Sequence, residues 1–264
     1  MMRVSVVTPS YQQAAFIART LKSVASQGVP LEHVVMDGGS KDGTVAILEA
    51  AGDAIRWVSE PDGGQAAAVN KGFRATTGEV IGWLNSDDVY YPGALTRVVE
   101  YFDAHPDVDL VYGDADHIDK YDAVMEPYPT RPWNASALER NCFICQPALF
   151  MRRRVLERHG MLDESLRYCM DYEFWLRLAH AGARFAHLPV RLAGSRLHAD
   201  TKTLGSRVPV HEEINDMLLR TLGYVPQTWL GAYAYAIADA KGGPAWSRRI
   251  RALRPYLEAR RRWG

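Results

Sequence analysis

"IGWLNSDDVYYPGAL", residues 81 to 95, is an apolar run that stops abruptly at two adjacent carboxylates, Asp87 and Asp88. Neighbouring carboxylates repel, and the repulsion raises one pKa unless a cation, a hydrogen-bond donor or a polyhydroxyl ligand sits between them. Asn, Ser, Asp and Pro are also ordinary turn residues, and "YPGAL" reads as the opening of a helix. Taken alone, the stretch fits a solvated turn as well as a site. Its surroundings decide between the two.

Upstream, runs rich in β-branched residues alternate with helical patterns, as in a mostly parallel sheet covered by helices. "VSVVTPSY" (4–11) reads as the first strand, and "AFIARTLKSVASQ" follows with Phe16, Ile17, Leu21 and Val24 at helical spacing. "LEHVVMDGGS" is a second strand ending at Asp37 and "GTVAILEAA" a second helix. "IRWVSEPDGG" is a third strand, "QAAAVNKGFRAT" a third helix and "EVIGWLNSDD" a fourth strand. Each strand ends in polar or small residues: Ser10 and Tyr11, Asp37 with Gly38 and Gly39, Asp62 with Gly63 and Gly64, then Asp87 and Asp88. In open parallel sheets the ligand crevice lies outside the carboxyl ends of the strands, so these loops converge on one edge. Their shared polarity turns the reading of the aspartate pair toward a site. Neither "DGGSKDGT" nor "DGGQAAAVNKG" fits the dinucleotide fingerprint or the phosphate loop, which disfavours a dehydrogenase or a P-loop enzyme.

Downstream of residue 100 the alternation loosens. "VDLVYGDADHID" reads as a strand with an acidic loop, "CQPALFMRR" as a strand with helix entry, and "DYEFWLRLAHAG" as an amphipathic helix burying Phe174, Trp175 and Leu178. "ARFAHLPVRLAGSRLH" suggests two short strands. Residues 207 to 264 are helical in pattern, with Pro255 expected to interrupt the last helix. The expected organisation is one α/β unit over 1–206, its halves being about 1–100 and 101–206, and a helical extension over 207–264.

The chain has 264 residues, 47% hydrophobic and 23% charged, which suits one α/β domain with an appendage. Lys plus Arg and Asp plus Glu are each 31, so no global charge draws it to nucleic acid, and any electrostatic partner must be local. "MMRVSVVTPSY" passes from Arg3 straight into a strand, without the features of a signal peptide. No stretch approaches the roughly 18 apolar residues that span a bilayer. A cytoplasmic location is expected. Cys142, Cys145 and Cys169 are too few and too odd for a disulfide framework, and "CFIC" lacks a second Cys or His pair to close a zinc site, so buried thiols are expected.

Seven segments now stand in order over residues 3 to 203: "VSVVTPSYQQAAFIARTLKSVASQ", "VVMDGGSKDGT", "EPDGGQAAAVNKG", "WLNSDDVYYPGAL", "CQPALFMRRRV", "LDESLRYCMDYEFWLRLA" and "RLHADTKT". Together they resemble the family 2 glycosyltransferases of the GT-A fold. The resemblance implies a Rossmann-like α/β fold with a mixed, mostly parallel sheet flanked by helices. It implies an inverting, metal-dependent enzyme that moves a sugar from a nucleotide-diphosphate donor, a UDP-sugar first among them, to a saccharide or lipid-linked acceptor. Bacterial envelope polysaccharide, lipopolysaccharide or glycolipid synthesis is the setting it suggests.

By the same resemblance, Thr8, Pro9, Ser10, Tyr11 and Asp37 hold the base and ribose, with Gln65 and Lys71 as further donor contacts. Gly38 departs from the family, which often has a second acidic residue there. Asp87 accepts from the ribose or shares the metal, and Asp88 binds a divalent cation, Mg²⁺ or Mn²⁺, that bridges the diphosphate. His198 is a further metal ligand, with Thr201, Lys202 and Thr203 near the phosphates. Gln146, Pro147 and Ala148 line the sugar and acceptor pocket. Asp171 is the general base, with Glu173 as the second choice; read without the resemblance, Asp171 is only a carboxylate favouring a helix N-terminus. Two other classes are weighed: a non-catalytic carbohydrate-binding or scaffold protein on the same fold, and a sugar nucleotidyltransferase, whose Gly-rich basic phosphate loop is replaced here by "TPSYQQAAFIART". The arginine-rich tail around Trp246, Ile250, Leu253, Tyr256, Leu257 and Trp263 is read either as a packed or solvated helix or as a peripheral contact with the inner membrane face.

Overall fold

Strand β1, Val4–Ser10, is buried at every position, as a near-continuous apolar run should be when helices cover both faces of a parallel sheet. The computed structural model describes residues 2–198, 207–244 and 247–264. β1 pairs in parallel with β2 (Leu31–Asp37) on one side and β4 (Val80–Trp83) on the other, and β3 (Arg56–Ser59) pairs in parallel outside β2. The register sets Ser10 beside Asp37 and Asp37 beside Ser59, so the strand ends lie level on one edge.

Helices α1 (Ile17–Ala25), α2 (Thr44–Ala50) and α3 (Gln65–Ala75) make the connections. Leu21, Val24 and Ile17 give α1 its buried stripe. α3 lies close on β1 because Gly72 has no side chain: a Cβ there would stand 2.2 Å from Val7 Cγ1. The missing carbon is what permits the contact.

The second half turns the sheet mixed. β8 (Leu149–Arg152) runs antiparallel to β4 and to β6 (Leu110–Ile118), which runs parallel to β9 (Phe185–Arg196). β7 (Val124–Pro127) pairs with the end of β6, and the two-residue β5 (Val89–Tyr90) pairs with β9 at the far edge. The order is β3-β2-β1-β4-β8-β6-β9-β5, with β7 off that path. β5 begins directly after Asp88, so the aspartate turn is strung between the central β4 and the outer β9. Helices α4 (Ala94–Ala104), α5 (Ala135–Arg140), α6 (Arg153–His159) and α7 (Met170–His180) complete this half.

Three expectations are corrected. Residues 183–198 hold one long strand, β9, not two, because it keeps its pairing with β6 from Phe185 to Arg196 across register shifts at Gly113/Asp114 and Asp114/Ala115. The acidic run after Tyr112 is not a loop: Asp114 and Asp116 stand within β6, countered by His187 and Arg191 of β9. The last helix also runs straight through Pro255.

The extension forms α8 (Arg207–Leu222), α9 (Gln227–Ala240) and α10 (Arg248–Trp263). Proline removes one helical hydrogen bond and crowds the carbonyl four residues back. In α10 it is buried on the packed face with Ala252, Ala259 and Trp263, and burial outweighs that loss. Met217, Leu218, Leu230 and Trp263 join the same core cluster as Phe174 and Trp175 of α7. Cys142, Cys145 and Cys169 are unbridged, and burial pushes their thiol pKa values up.

Candidate active site

The two aspartates of the opening stretch have opposite surroundings. Asp88 is 4% exposed. Its Oδ1 accepts the backbone N–H of Arg196 at 2.8 Å and its Oδ2 accepts Asn85 Nδ2 at 3.3 Å. Burial, then the neighbouring Asp87, raises its pKa well above the ordinary carboxylate value, against the pull of Arg196. Asp87 is the more open of the two, and its Oδ2 lies 3.1 Å from His198 Nε2. The pair is thus split into one buried carboxylate and one that faces a histidine.

Arg196 binds this turn to the rest of the site, and sequence reasoning passed over it. Its Nε donates to the Asp87 carbonyl at 2.6 Å and its Nη1 to the Asp119 carbonyl at 2.5 Å, while Nη2 pairs with Asp122 at 2.5 Å. Its fully buried guanidinium lies over the Phe16 ring at 5.1 Å, and the same ring meets His198 at 4.7 Å. Part of the positive charge that the aspartates require therefore comes from the protein itself. The signal was an arginine two residues before His198, at the end of an apolar strand.

Asn85 is the second residue that the sequence reading missed. Its Oδ1 accepts Gln65 Nε2 at 2.8 Å and Trp83 Nε1 at 2.9 Å, and its Nδ2 reaches Gln146 Oε1 at 3.0 Å as well as Asp88. Gln146 in turn donates to the Trp83 carbonyl at 2.6 Å. Gln65, Asn85, Asp88 and Gln146 are therefore one network, held on α3, the β4 turn and the loop before β8.

On the donor side, Tyr11 is 61% exposed beside Gly38. A Cβ at position 38 would lie 3.0 Å from Asp62 Oδ2 and 3.2 Å from Tyr11 Cδ2. The carboxylate of Asp62 thus occupies the space that a side chain at 38 would need. Asp37 is buried, and its carboxylate is used by the turn that follows: it accepts from the N–H groups of Gly39 and Ser40 and from the hydroxyls of Ser40 and Ser59. Lys71 pairs with Glu60 in a shallow cleft shared with Met36, Asp37 and Asp62.

Thr8 leaves the list of side-chain contacts. Its hydroxyl is fully buried and bonded to His33 Nε2 at 3.0 Å, because the alternation of β1 turns it into the sheet. Pro9 is also buried, and the Ser10 hydroxyl is buried without a hydrogen-bond partner among the described residues.

Asp171 stands in the first turn of α7, with Oδ1 accepting the Tyr172 N–H at 2.8 Å. A helix N-terminus should lower a carboxylate pKa. Burial here outweighs that pull and moves it up to about 6. Burial first, and then the charges of Asp88 and Asp171, raise the Cys145 thiol pKa. Glu173 is spent elsewhere: its carboxylate pairs with Arg177 at 2.7 Å, and Arg177 also donates to the carbonyls of His159 and Met161. Glu173, the second choice of base, is thus held in an ion pair, whereas Asp171 is paired with no cation among the described residues.

Among the described residues no three His, Cys, Asp or Glu side chains cluster as a ready-made metal site. In donor type the Asp87 and His198 pair, one carboxylate oxygen and one imidazole nitrogen 3.1 Å apart, suits a divalent ion as a two-ligand half-site. Asp88, expected as a metal ligand, is buried, and each of its oxygens accepts one hydrogen bond within the fold. Thr201, Lys202 and Thr203 lie outside the described residues.

Residues 5–160 match the profile of glycosyl transferase family 2. An uncharacterized glycosyltransferase of Rickettsia prowazekii is 28% identical over 223 residues, covering 81% of this chain and 70% of that one. In structure the chain is similar to Staphylococcus aureus TarS 1–349 in complex with UDP-GlcNAc, with a TM-score of 0.67, 18% identity, and coverage of 98% of this chain and 81% of that chain. It is also similar to mannosyltransferase PcManGT from Pyrobaculum calidifontis in complex with GDP-Man and Mn²⁺, with a TM-score of 0.66, 20% identity, and coverage of 97% and 82%. These neighbours share the GT-A fold. The chain belongs to glycosyl transferase family 2.

Proposed function

We propose that this family 2 glycosyltransferase moves a sugar from a nucleotide-diphosphate donor, a UDP-sugar first, onto a hydroxyl of a saccharide or lipid-linked acceptor, with inversion at the anomeric carbon. The observation that carries the reading is a pair of unlike acidic groups: Asp87, paired with His198, and Asp171, with its pKa moved up to about 6.

The exposed Tyr11 ring offers a stacking face for a base, and Asp62 beside it offers an acceptor for a ring N–H. Asp37 supports this corner through its turn rather than by touching the base. The diphosphate then reaches Asp87 and His198, which would hold a divalent cation, Mg²⁺ or Mn²⁺; when bound, the ion offsets charge growing on the leaving phosphate. In this reading Asp88 keeps the turn in shape, and the metal contact expected of it passes to Asp87. Gln65, Asn85 and Gln146 border the sugar, which the shared network holds in fixed positions.

Inversion by single displacement needs the acceptor hydroxyl to lose its proton on the face away from the diphosphate. Asp171 accepts that proton: at neutral pH it is mostly ionised, yet basic enough to take part. A carboxylate in this range suits proton transfer near neutral pH, which favours catalysis over a purely binding scaffold. The three unbridged cysteines support a cytoplasmic setting.

The test is a donor panel scored by nucleotide release, with and without Mg²⁺, Mn²⁺ and EDTA, and the product anomer read by NMR. Metal-stimulated release from one donor and an inverted product are expected. Full activity in EDTA would remove the cation, and retained configuration would discard the single displacement.

A further inference from the structure

Helix α10 has two faces of different character. Ala252, Pro255, Ala259 and Trp263 pack inward, Trp263 Nε1 donating to Asp216 Oδ1 at 2.6 Å. The opposite face presents Ile250, Leu253 and Leu257, which are 71%, 60% and 48% exposed. At the helical 100° per residue these three fall within about 60° of one another, a single stripe. Arg254, which pairs with Glu258 at 2.8 Å along the helix, and Arg261 project on one flank of the stripe, and Arg249 and Arg260 on the other; all four are exposed.

The remaining arginines fasten the helix to the fold. Arg248 pairs with Asp239, Arg251 donates to the Pro244 carbonyl, and Arg262 approaches Glu212 and Asp216 while lying over the Trp263 ring. Residues 247 to 264 carry seven arginines against one carboxylate, Glu258, in a chain whose net charge is zero. The basic charge is therefore concentrated here, and the helix that carries it is anchored rather than frayed.

We propose that this outer face of α10 is a docking surface for an anionic phospholipid bilayer. An apolar stripe bordered by arginines suits a helix lying in the plane of the interface, its aliphatic side chains among the acyl chains and its guanidinium groups at the phosphates. Charge decides against a second copy of the chain, since a symmetric contact would bring the arginine rows together. A nucleic acid would meet the arginines but leave the stripe unused. No helix among the described residues is long and apolar enough to cross a membrane, so the contact is peripheral. The inference is independent of the transfer reaction. It also explains how a lipid-linked acceptor would be met at a surface.

The experiment uses the full chain in flotation with phosphatidylcholine vesicles, with and without phosphatidylglycerol, at low and high salt. Two variants alter only exposed positions: Ile250→Ser with Leu253→Ser and Leu257→Ser, and Arg249→Gln with Arg254→Gln, Arg260→Gln and Arg261→Gln. Unchanged circular dichroism checks their folding. The wild type should float with the anionic vesicles only, and less at high salt; each variant should lose at least about tenfold in partitioning, since each basic residue near such a surface contributes about 1 kcal/mol. A wild type that stays with the soluble fraction overturns the proposal. So does equal flotation of wild type and both variants, or stripe-dependent dimerisation in light scattering without vesicle binding.

Discussion

Glu213, on the C-terminal extension, accepts the backbone N–H of Cys169 at 2.9 Å, two residues before Asp171. The same carboxylate accepts the N–H groups of Arg167 at 2.8 Å and Tyr168 at 2.7 Å. One side chain of α8 thereby holds the loop that leads into α7. The extension is thus tied to the segment that carries the proposed base.

Glu213→Ala should lower kcat by about ten- to a hundredfold while leaving donor affinity in place, because a small shift of a reacting group is enough for such a loss. Glu213→Gln keeps one acceptor oxygen and should retain more activity. Steady-state kinetics with donor titration checks both. Equal loss of donor affinity and turnover would make Glu213 a general stability contact instead.

Asp171→Asn should bind donor normally and lose at least about a hundredfold in turnover, since the amide cannot take the proton. In the wild type, kcat should fall on the acid side with a midpoint near 6, where Asp171 becomes protonated. The sign of the stability effect is opposite. The folded-state pKa is raised from 3.8 to about 6, so the fold prefers the neutral carboxyl, and the ionised one costs stability above that range. Asp171→Asn should therefore raise Tm at pH 7 and lose this advantage as pH falls from about 6 toward 3.8. Thermal melts across that range test the linkage, and a lowered Tm at pH 7 would contradict it.

Asp87 and Asp88 should respond differently to substitution. Asp87→Asn should raise the Mn²⁺ concentration needed for half-maximal nucleotide release and leave Tm nearly unchanged. Asp88→Ala strips the Arg196 N–H and Asn85 of a buried acceptor and should lower stability by about 1–3 kcal/mol. Calorimetry beside a metal titration separates the two, and a stable Asp88→Ala protein with a lost metal response would return the cation to Asp88.

Arg196→Leu should be among the most damaging single changes in the chain. It takes the cation away from the exposed Asp122 and leaves the part-buried carbonyls of Asp87 and Asp119 without their donor, and each acceptor stranded in this way costs about 1–3 kcal/mol. Chemical denaturation measures the loss. Arg196→Lys should recover little, because an ammonium cannot reproduce the forked contacts.

Much of the fold was legible because local patterns and the tertiary arrangement agree over the first hundred residues. β-branched strands, helical spacing and polar strand ends point the same way, and β1 to β4 with α1 to α3 follow that reading. The family was readable for the same reason: its motifs lie at strand ends, where position along the chain corresponds to position at the site. Long-range pairing was not readable. That β9 is a single strand, and that Pro255 lies inside a helix, depends on partners more than a dozen residues away, and these override local preference.

The residue types of the site were likewise present in the sequence, but their division of labour was not. "NSDD" shows two adjacent carboxylates without telling which is buried. That is decided by the Arg196 backbone N–H, which reaches Asp88 from 108 residues away, and by His198, which reaches Asp87 from 111 residues away. Only packing brings those groups together, and burial then sets Asp88 apart from Asp87 and lifts Asp171 toward neutrality. Sequence names the ionisable groups; desolvation and distance, which belong to the folded chain, assign what each can do.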